Sequence, residues 1–368
     1  MCGYWCVIKN KSITFVRQNF MTMKTKGLYS IGLTAIVFVI IAVVALFLFY
    51  PINKGNETTY LYIDKDDNVD SIARKMSVEC NCLGAATVMT LARHTDYAEN
   101  ILTGRYEIDK SVGSLLFFRK MRNGQQKPIM LTVKSVRTKE QLAENLSKKL
   151  MLDKEDLLAY MNNNDSCKKY GLDTATIITL FIPNTYGVYW NVSADKLLKR
   201  MYSEAEKFWS KDRLNKASSL GLSKEDVMTL ASIVEEETAN EAEKPRVAGM
   251  YYNRLRKPMP LQADPTIKFA LKDFAITRIY HNMLFVKSPY NTYMNEGLPP
   301  GPIRVPSVAG IDAVLNLEHH DYIYMCAKED FSGTHNFAIT YEEHLQNAAR
   351  YSKALNERNI GKYGTNKE

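Results

Sequence analysis

The sequence predicts an α+β protein: a single N-terminal transmembrane helix, a small α+β module, then a larger mixed α+β domain. Three observations predict it. One long apolar run near the N-terminus carries no charge. Short alternating segments beyond it are each followed by turn residues and then by helical periodicity. The C-terminal half strings amphipathic helices between loops rich in proline, glycine and polar residues. Short strands separated by covering helices must pair with sequence-distant partners, which is the α+β arrangement. The 368 residues suffice for two or three domains, and 46% hydrophobic with 24% charged residues is the composition of a folded chain.

Residues 1–30 form a basic segment. Lys9, Lys11, Arg17, Lys24 and Lys26 place +5 of the formal +8 charge in the first fifty residues, where no Asp or Glu occurs. The positive excess is therefore local. No motif for reading DNA or RNA stands out elsewhere, so no nucleic-acid partner is expected. Residues 31–50, IGLTAIVFVIIAVVALFLFY, are uncharged. At 1.5 Å per residue they span about 30 Å, the thickness of a bilayer's hydrocarbon core. A cleaved signal peptide is the competing reading, disfavoured by the length of the run and by its ending without a small-residue cleavage site. Positive flanks stay inside, which predicts a single-pass protein of the cell (inner) membrane. Its N-terminus is then cytoplasmic, and residues 51–368 lie on the extracytoplasmic or periplasmic side. Met21 or Met23 would serve as a start equally well, since the first twenty residues add little that an anchor needs. Among the six cysteines, Cys2 and Cys6 fall on the cytoplasmic side. Cys80, Cys82, Cys167 and Cys326 follow no metal-type or CxxC spacing. A bridge from Cys80 or Cys82 to Cys167 is left open.

Residues 51–58 (PINKGNET) read as a polar linker, and residues 59–150 as an α+β module. A strand is expected over 59–63, a turn over 64–68 and a helix over 69–76. The theme repeats with a strand over 105–108 and a helix over 112–121. It repeats again with a strand over 129–133 and a helix over 138–150, where Leu142, Leu146 and Leu150 share a face. Such units resemble LysM-like modules, which hold glycans containing N-acetylglucosamine; a plain structural platform is the competing reading. Residues 151–222 form a connecting part, with a helix over 154–170 and a turn-rich aromatic segment over 181–187. An amphipathic helix over 196–209 turns Leu197, Met201, Ala205 and Phe208 inward, and a polar stretch follows over 210–219.

The domain over residues 223–350 opens on a helix. Ser223 is its N-cap, with Asp226 three residues later completing a capping box. Val227, Leu230, Ala231 and Val234 fall at i, i+3, i+4 and i+7, which buries one stripe. Glu235, Glu236 and Glu237 then interrupt it. At about 100° per residue, Glu236 points away from the stripe and reads as a solvated charge, while Glu235 and Glu237 sit at its edges. A half-sheltered carboxyl loses hydration, its pKa rises, and it can hold a proton near neutral pH. Periodicity leaves Glu235 and Glu237 tied as candidate acids.

Beyond the carboxylates, polar groups gather beside aromatics and prolines. A helix over 246–256 ends in Asn253 and Arg254, followed by the extended or turning LQADPT at 261–266, where Pro265 disfavours a helical Asp264. SPYNTY at 288–293 and EGLPPGPI at 296–303 make stiff loops. Amides and carboxylates bond hydroxyls, and tyrosines offer an apolar face with a polar tip, so these loops suit a polyhydroxylated ligand. Glu318-His-His-Asp321 lacks the spacing of a helical zinc site, and no HExxH, GxSxG, P-loop or Rossmann fingerprint occurs. No metal or cofactor is expected. The segment GTHNF at 333–337, with Thr340 and His344, brings His335 into consideration. Residues 351–368 read as a polar C-terminal tail.

These residues carry a resemblance. ASIVEEET at 231–238, NRL at 253–255, LQADPT at 261–266, YNTY at 290–293, GLPPGPI at 297–303 and HNF at 335–337 are together similar to the MltG/YceG family of membrane-anchored endolytic murein transglycosylases. The resemblance implies Glu237, the carboxylate before Thr238, as the catalytic residue, with Glu236 standing where a Lys is common. It implies binding roles for Glu235, Asn253, Arg254, Gln262, Asp264, Tyr290, Asn291, Tyr293 and His335. The activity implied is cleavage of the β-1,4 bond between N-acetylmuramic acid and N-acetylglucosamine in nascent strands, closing a 1,6-anhydromuramyl end and terminating elongation. Peptidoglycan glycan strands, the membrane and cell-wall synthases are the implied partners. A hydrolytic muramidase and a non-catalytic peptidoglycan-binding scaffold are the competing functions.

Overall fold

The computed structural model describes residues 30–358. The basic segment, Cys2, Cys6 and the last ten residues lie outside the described part. The chain is α+β and divides into two compact units, the first ending at Lys127 and the second beginning at Pro128. Cys80, Cys82, Cys167 and Cys326 are all free thiols.

The first unit begins with α1 (Ser30–Phe49), twenty residues of mean hydropathy 3.1 with none of that span buried, long and apolar enough to cross a membrane. Beyond it, β1 (Thr59–Ile63) and β2 (Gly104–Ile108) pair antiparallel, Leu61 opposite Tyr106. Between them run α2 (Val69–Glu79) and α3 (Cys82–Arg93), and α4 (Ser114–Arg122) follows. Period-2 alternation turns Leu61, Ile63, Tyr106 and Ile108 onto Ile72, Met76, Val88, Phe117 and Met121, all buried. Asn68 and Ser71 close a capping box that starts α2. No strand–turn–helix theme in the sequence marks α3, whose apolar positions are interrupted by Gly84, Thr87 and Thr90. Gly84 is required there, since a Cβ would stand 2.7 Å from the Ile52 Cα.

In the second unit, β3 (Ile129–Val133) pairs antiparallel with β4 (Asn184–Val188). The third strand–turn–helix repeat therefore lies outside the first unit, and the segment read as turn-rich is the strand that completes this pair. Two helices of the first layer follow β3: α5 (Lys139–Ser147), capped by Thr138, and α6 (Lys154–Met161). The short α7 (Asn164–Lys168) and the long α8 (Ala194–Phe208) complete that layer. Leu131, Leu142, Leu146, Phe181, Leu197 and Met201 form its core. The polar stretch after α8 is itself a helix, α9 (Lys211–Ser219).

A second core surrounds α10 (Lys224–Glu237), which opens on the Ser223/Asp226 capping box. The helix is not one-sided as its stripe implies: every residue from Val227 to Val234 is buried, enclosed by α11 (Lys244–Arg256), α12 (Asp264–Leu271) and α13 (Val308–Leu315). Its polar residues are satisfied locally. Thr229 Oγ1 donates to Glu225 O, and Ser232 Oγ donates to Thr229 O while accepting Ile303 N–H at 3.0 Å. Asp264 opens α12 despite Pro265, because proline is tolerated in a first turn whose N–H groups lack helical partners. The hairpin β5 (Tyr324–Ala327) and β6 (His335–Ala338) packs beside α14 (Tyr341–Glu357), which carries regular helix past residue 350 into the expected tail.

Candidate active site

The C-terminal end of α10 faces a cavity of about 360 Å³. Glu237, Tyr251, Arg254, Gln262, Asp264, Tyr293, Tyr324, His335, Tyr341 and His344 line it. Six residues singled out in the sequence are thus brought together: Glu237, Arg254, Gln262, Asp264, Tyr293 and His335.

Glu237 is the last residue of α10, and Thr238 leaves the helix in an extended conformation. Tyr251 Oη, from α11, donates to Glu237 Oε1 at 2.6 Å. The other carboxyl oxygen has no hydrogen-bond partner among the described residues. Burial lifts the Glu237 carboxyl from its ordinary value of 4.5 to about 7. The Tyr251 hydrogen bond and Lys268 oppose that rise, while the charges of Asp264 and Glu236 add to it. A carboxyl with that value holds its proton in about half the molecules at neutral pH, as a general acid needs.

Around it the cavity is stiff. Arg254, almost fully buried, donates through Nε to Pro260 O, through Nη1 to Ile323 O and through Nη2 to Gln262 Oε1 at 2.6 Å. Its charge therefore meets only neutral acceptors. Gln262 is held at φ +52, the left-handed region that costs a non-glycine residue of order 1 kcal/mol, and its N–H is tied to Thr292 O. Tyr293 Oη donates to Asp264 Oδ1 at 2.5 Å. His335 enters from β6, with its N–H and Nδ1 on the buried Glu243 at 2.7 and 2.9 Å; Glu243 also accepts from Thr238 Oγ1. That carboxylate joins the hairpin to the end of α10. His344 stacks on Tyr324 at 5.3 Å, and its buried Nδ1 has no partner. Burial, and secondarily Arg254, push its pKa down.

Four of the sequence-predicted residues are not among those lining the cavity. Glu235 Oε2 accepts Ser307 N–H and Oγ–H, the latter at 2.6 Å, and pairs with Lys244 at 3.4 Å, so it anchors the start of α13. Asn253 donates to His320 O and Tyr322 O, tying down the loop before β5. Asn291 is fully buried, bracing its own loop through Leu284 O and Val286 O. Tyr290 packs at a tilt against Phe269, ring centres 4.7 Å apart, and lines a different cavity. Glu236 is not the solvated charge that periodicity implies. It accepts Arg137 through two bonds of 2.7 and 3.0 Å and Arg304 at 2.8 Å. His320, read as part of a metal-like run, is committed to Arg246 O and Tyr322 N–H.

Sequence reasoning missed Tyr251, Tyr324 and Tyr341, and named His344 only as a neighbour. Tyr251 was within reach: it stands three residues before Arg254 and shares its helix face, whereas Asn253 lies about 100° away. Tyr324, Tyr341 and His344 arrive through the β5–β6 hairpin and α14, whose packing has no local signature.

Several known proteins are similar to this chain. The family model described as the YceG-like family matches residues 61–350. The endolytic murein transglycosylase of Bacillus subtilis strain 168 is 37% identical over 165 residues, 44% of this chain and 43% of that protein. The endolytic murein transglycosylase of Streptococcus pneumoniae serotype 2 is 25% identical over 295 residues, 71% of this chain and 52% of that protein. The chain thus spans about half the length of the curated relatives it matches. A crystal structure of a yceG-like protein from Listeria monocytogenes superposes with a TM-score of 0.51 at 26% identity, covering 79% of this chain and 99% of that one. With the family model spanning most of the chain and the fold shared with a solved relative, this protein belongs to the YceG-like family.

Proposed function

We propose that this protein is an endolytic peptidoglycan lytic transglycosylase in which Glu237 is both acid and base. The observation that carries the reading is the Glu237 carboxyl, lifted to about 7 and held by Tyr251, at the wall of a polar cavity. Protonated Glu237 gives its proton to the oxygen bridging N-acetylmuramic acid to N-acetylglucosamine. The C1–O bond breaks as the muramyl ring becomes oxocarbenium-like, and the N-acetylglucosamine leaves with a 4-hydroxyl. Glu237, now a carboxylate, takes the proton of the muramyl 6-hydroxyl as that oxygen closes on C1. The ring forms, the carboxyl is restored, and no water is consumed. The nucleophile is tethered, so its effective molarity far exceeds that of a free one. Arg254, Gln262 and Tyr293 suit the N-acetyl and hydroxyl groups of the flanking sugars.

The basic flank before α1 favours a cytoplasmic N-terminus and an extracytoplasmic cavity, where nascent strands are elongated by membrane-bound synthases. Cleavage there would terminate strands, and the first unit would serve as a LysM-like glycan holder. Asp264 shares the cavity with Glu237, and that observation favours a second reading, hydrolysis with two carboxylates. Mass spectrometry of products from uncrosslinked nascent glycan decides between them, since anhydro ends are lighter than hydrolysed ends by one water. Wild type is expected to release anhydro ends and Glu237→Gln none. Undiminished release by that variant would overturn the assignment, and binding to peptidoglycan without any release would make the protein a scaffold.

A further inference from the structure

A second cavity, of about 810 Å³, lies at the other end of α12 from Asp264. Both cavities are built on the same pieces. Asp264 begins α12 in the first, and Phe269 and Lys272 end it in the second. The 290–293 turn, buried at Asn291 and Thr292, sends Tyr293 to the first and Tyr290 to the second. Glu237 lines the first, while its neighbour Glu236 holds Arg137 of the second. Eight helical residues separate the two by about 12 Å.

The second cavity has a distinct chemistry. Arg137, Lys139 and Lys272 face one carboxylate, Glu140, which sits in the first turn of α5 where the helix dipole already favours it. Arg137 and Arg304 share Glu236, which leaves one positive charge uncompensated. Lys139 Nζ, half-buried, donates to Asn162 Oδ1 and Thr174 O, both neutral, and no carboxylate lies within ion-pair distance among the described residues. Lys272 is exposed and unpaired among the described residues, on a backbone of φ +55 where glycine is the unstrained choice. The floor is aromatic: Phe269 packs at a tilt against Tyr290, ring centres 4.7 Å apart, and Phe274 lies 5.3 Å from the Arg137 guanidinium. Cations over an apolar floor do not suit a neutral sugar, which asks for amides and carboxylates. They suit a chain that alternates carboxylates with aliphatic groups.

We propose that this cavity binds the carboxylate-bearing stem peptide carried by the muramyl residue, so that the enzyme reads the peptide as well as the glycan. The inference rests on the assignment of the first cavity to the scissile bond. An extended peptide advances about 3.4 Å per residue, so the first three or four residues of a stem attached at the muramyl lactyl group cover the 12 Å between the cavities.

The test uses the purified full chain in nanodiscs and two matched sets of uncrosslinked strands, one with stems intact and one stripped by an amidase. The expected kcat/KM is about tenfold higher on stem-bearing strands, mostly through KM, as for one charge-assisted hydrogen bond. In Lys139→Gln and Lys272→Gln the ratio of the two rates falls toward one. The exposed position of Lys272 keeps that variant informative if Lys139→Gln folds poorly. Equal rates on both sets overturn the proposal and leave Glu237 as the acid. If wild type cuts neither set, the transglycosylase reading fails instead, and calorimetry with free L-alanyl-γ-D-glutamyl-diaminopimelate decides the cavity. Binding that Lys272→Gln weakens supports it, and no binding to wild type overturns it.

Discussion

Replacing Glu237 by glutamine separates what that carboxyl does for the reaction from what it costs the fold. In the folded chain its pKa is raised from 4.5 to about 7, with burial the principal cause. A group whose folded value is raised favours the folded state while protonated, and that advantage is lost as pH climbs from the unfolded value through the folded one. Relative to Glu237→Gln, the wild type should therefore lose up to about 3 kcal/mol between pH 4.5 and pH 7 and stay lower above it. Urea denaturation of the two proteins at pH 5, 6, 7 and 8 measures this. The midpoints should lie close at pH 5, and glutamine should be the more stable above pH 7, while releasing no product at any pH. Wild-type turnover should fall as pH rises through about 7, because the first step needs the proton. A gap in stability that does not widen with pH would refute the account of Glu237 as a desolvated acid.

Tyr251→Phe removes the hydrogen bond that favours the charged carboxyl, so the alkaline limb of the rate profile should move to higher pH. Its kcat should fall about tenfold from lost positioning. Glu243→Ala releases both His335 contacts and Thr238. Differential scanning calorimetry should show about 2 kcal/mol of destabilisation, with activity lost as the hairpin separates from α10. Arg137→Ala and Arg304→Ala should each cost about 1 kcal/mol in denaturant melts, and together more than their sum, because the second deletion strands the half-buried Glu236. At Gly249 an added Cβ would meet Glu318 O at 2.2 Å. Gly249→Ala should lower stability by about 2 kcal/mol through overpacking, read from the thermal midpoint, with no change in the pH profile.

Much of the candidate site was legible because its segments obey local rules. Glu237 follows an apolar helix pattern, Gln262 and Asp264 come just before Pro265, and Tyr293 ends a turn rich in Asn and Tyr. What stayed illegible were the partners. Arg137 and Glu236 are 99 positions apart, and Glu243 and His335 are 92 apart. Each carboxylate in the triplet at 235–237 took a different partner set, which no periodicity distinguishes. Asn253 and Asn291 looked like ligand-binding amides because a buried, bracing amide and a solvent-facing one have the same sequence signature.

The amino-acid sequence alone determined the long apolar helix α1, the helix and strand positions that follow hydrophobic period, and the capping box that starts α10, since each depends on neighbours within a few residues. Tertiary structure decided which of three adjacent glutamates faces a cavity, that α10 is enclosed on every side, and that β3 pairs with β4 rather than joining the first unit. Burial and charge pairing are properties of what packs against a residue, and those neighbours come from elsewhere in the chain.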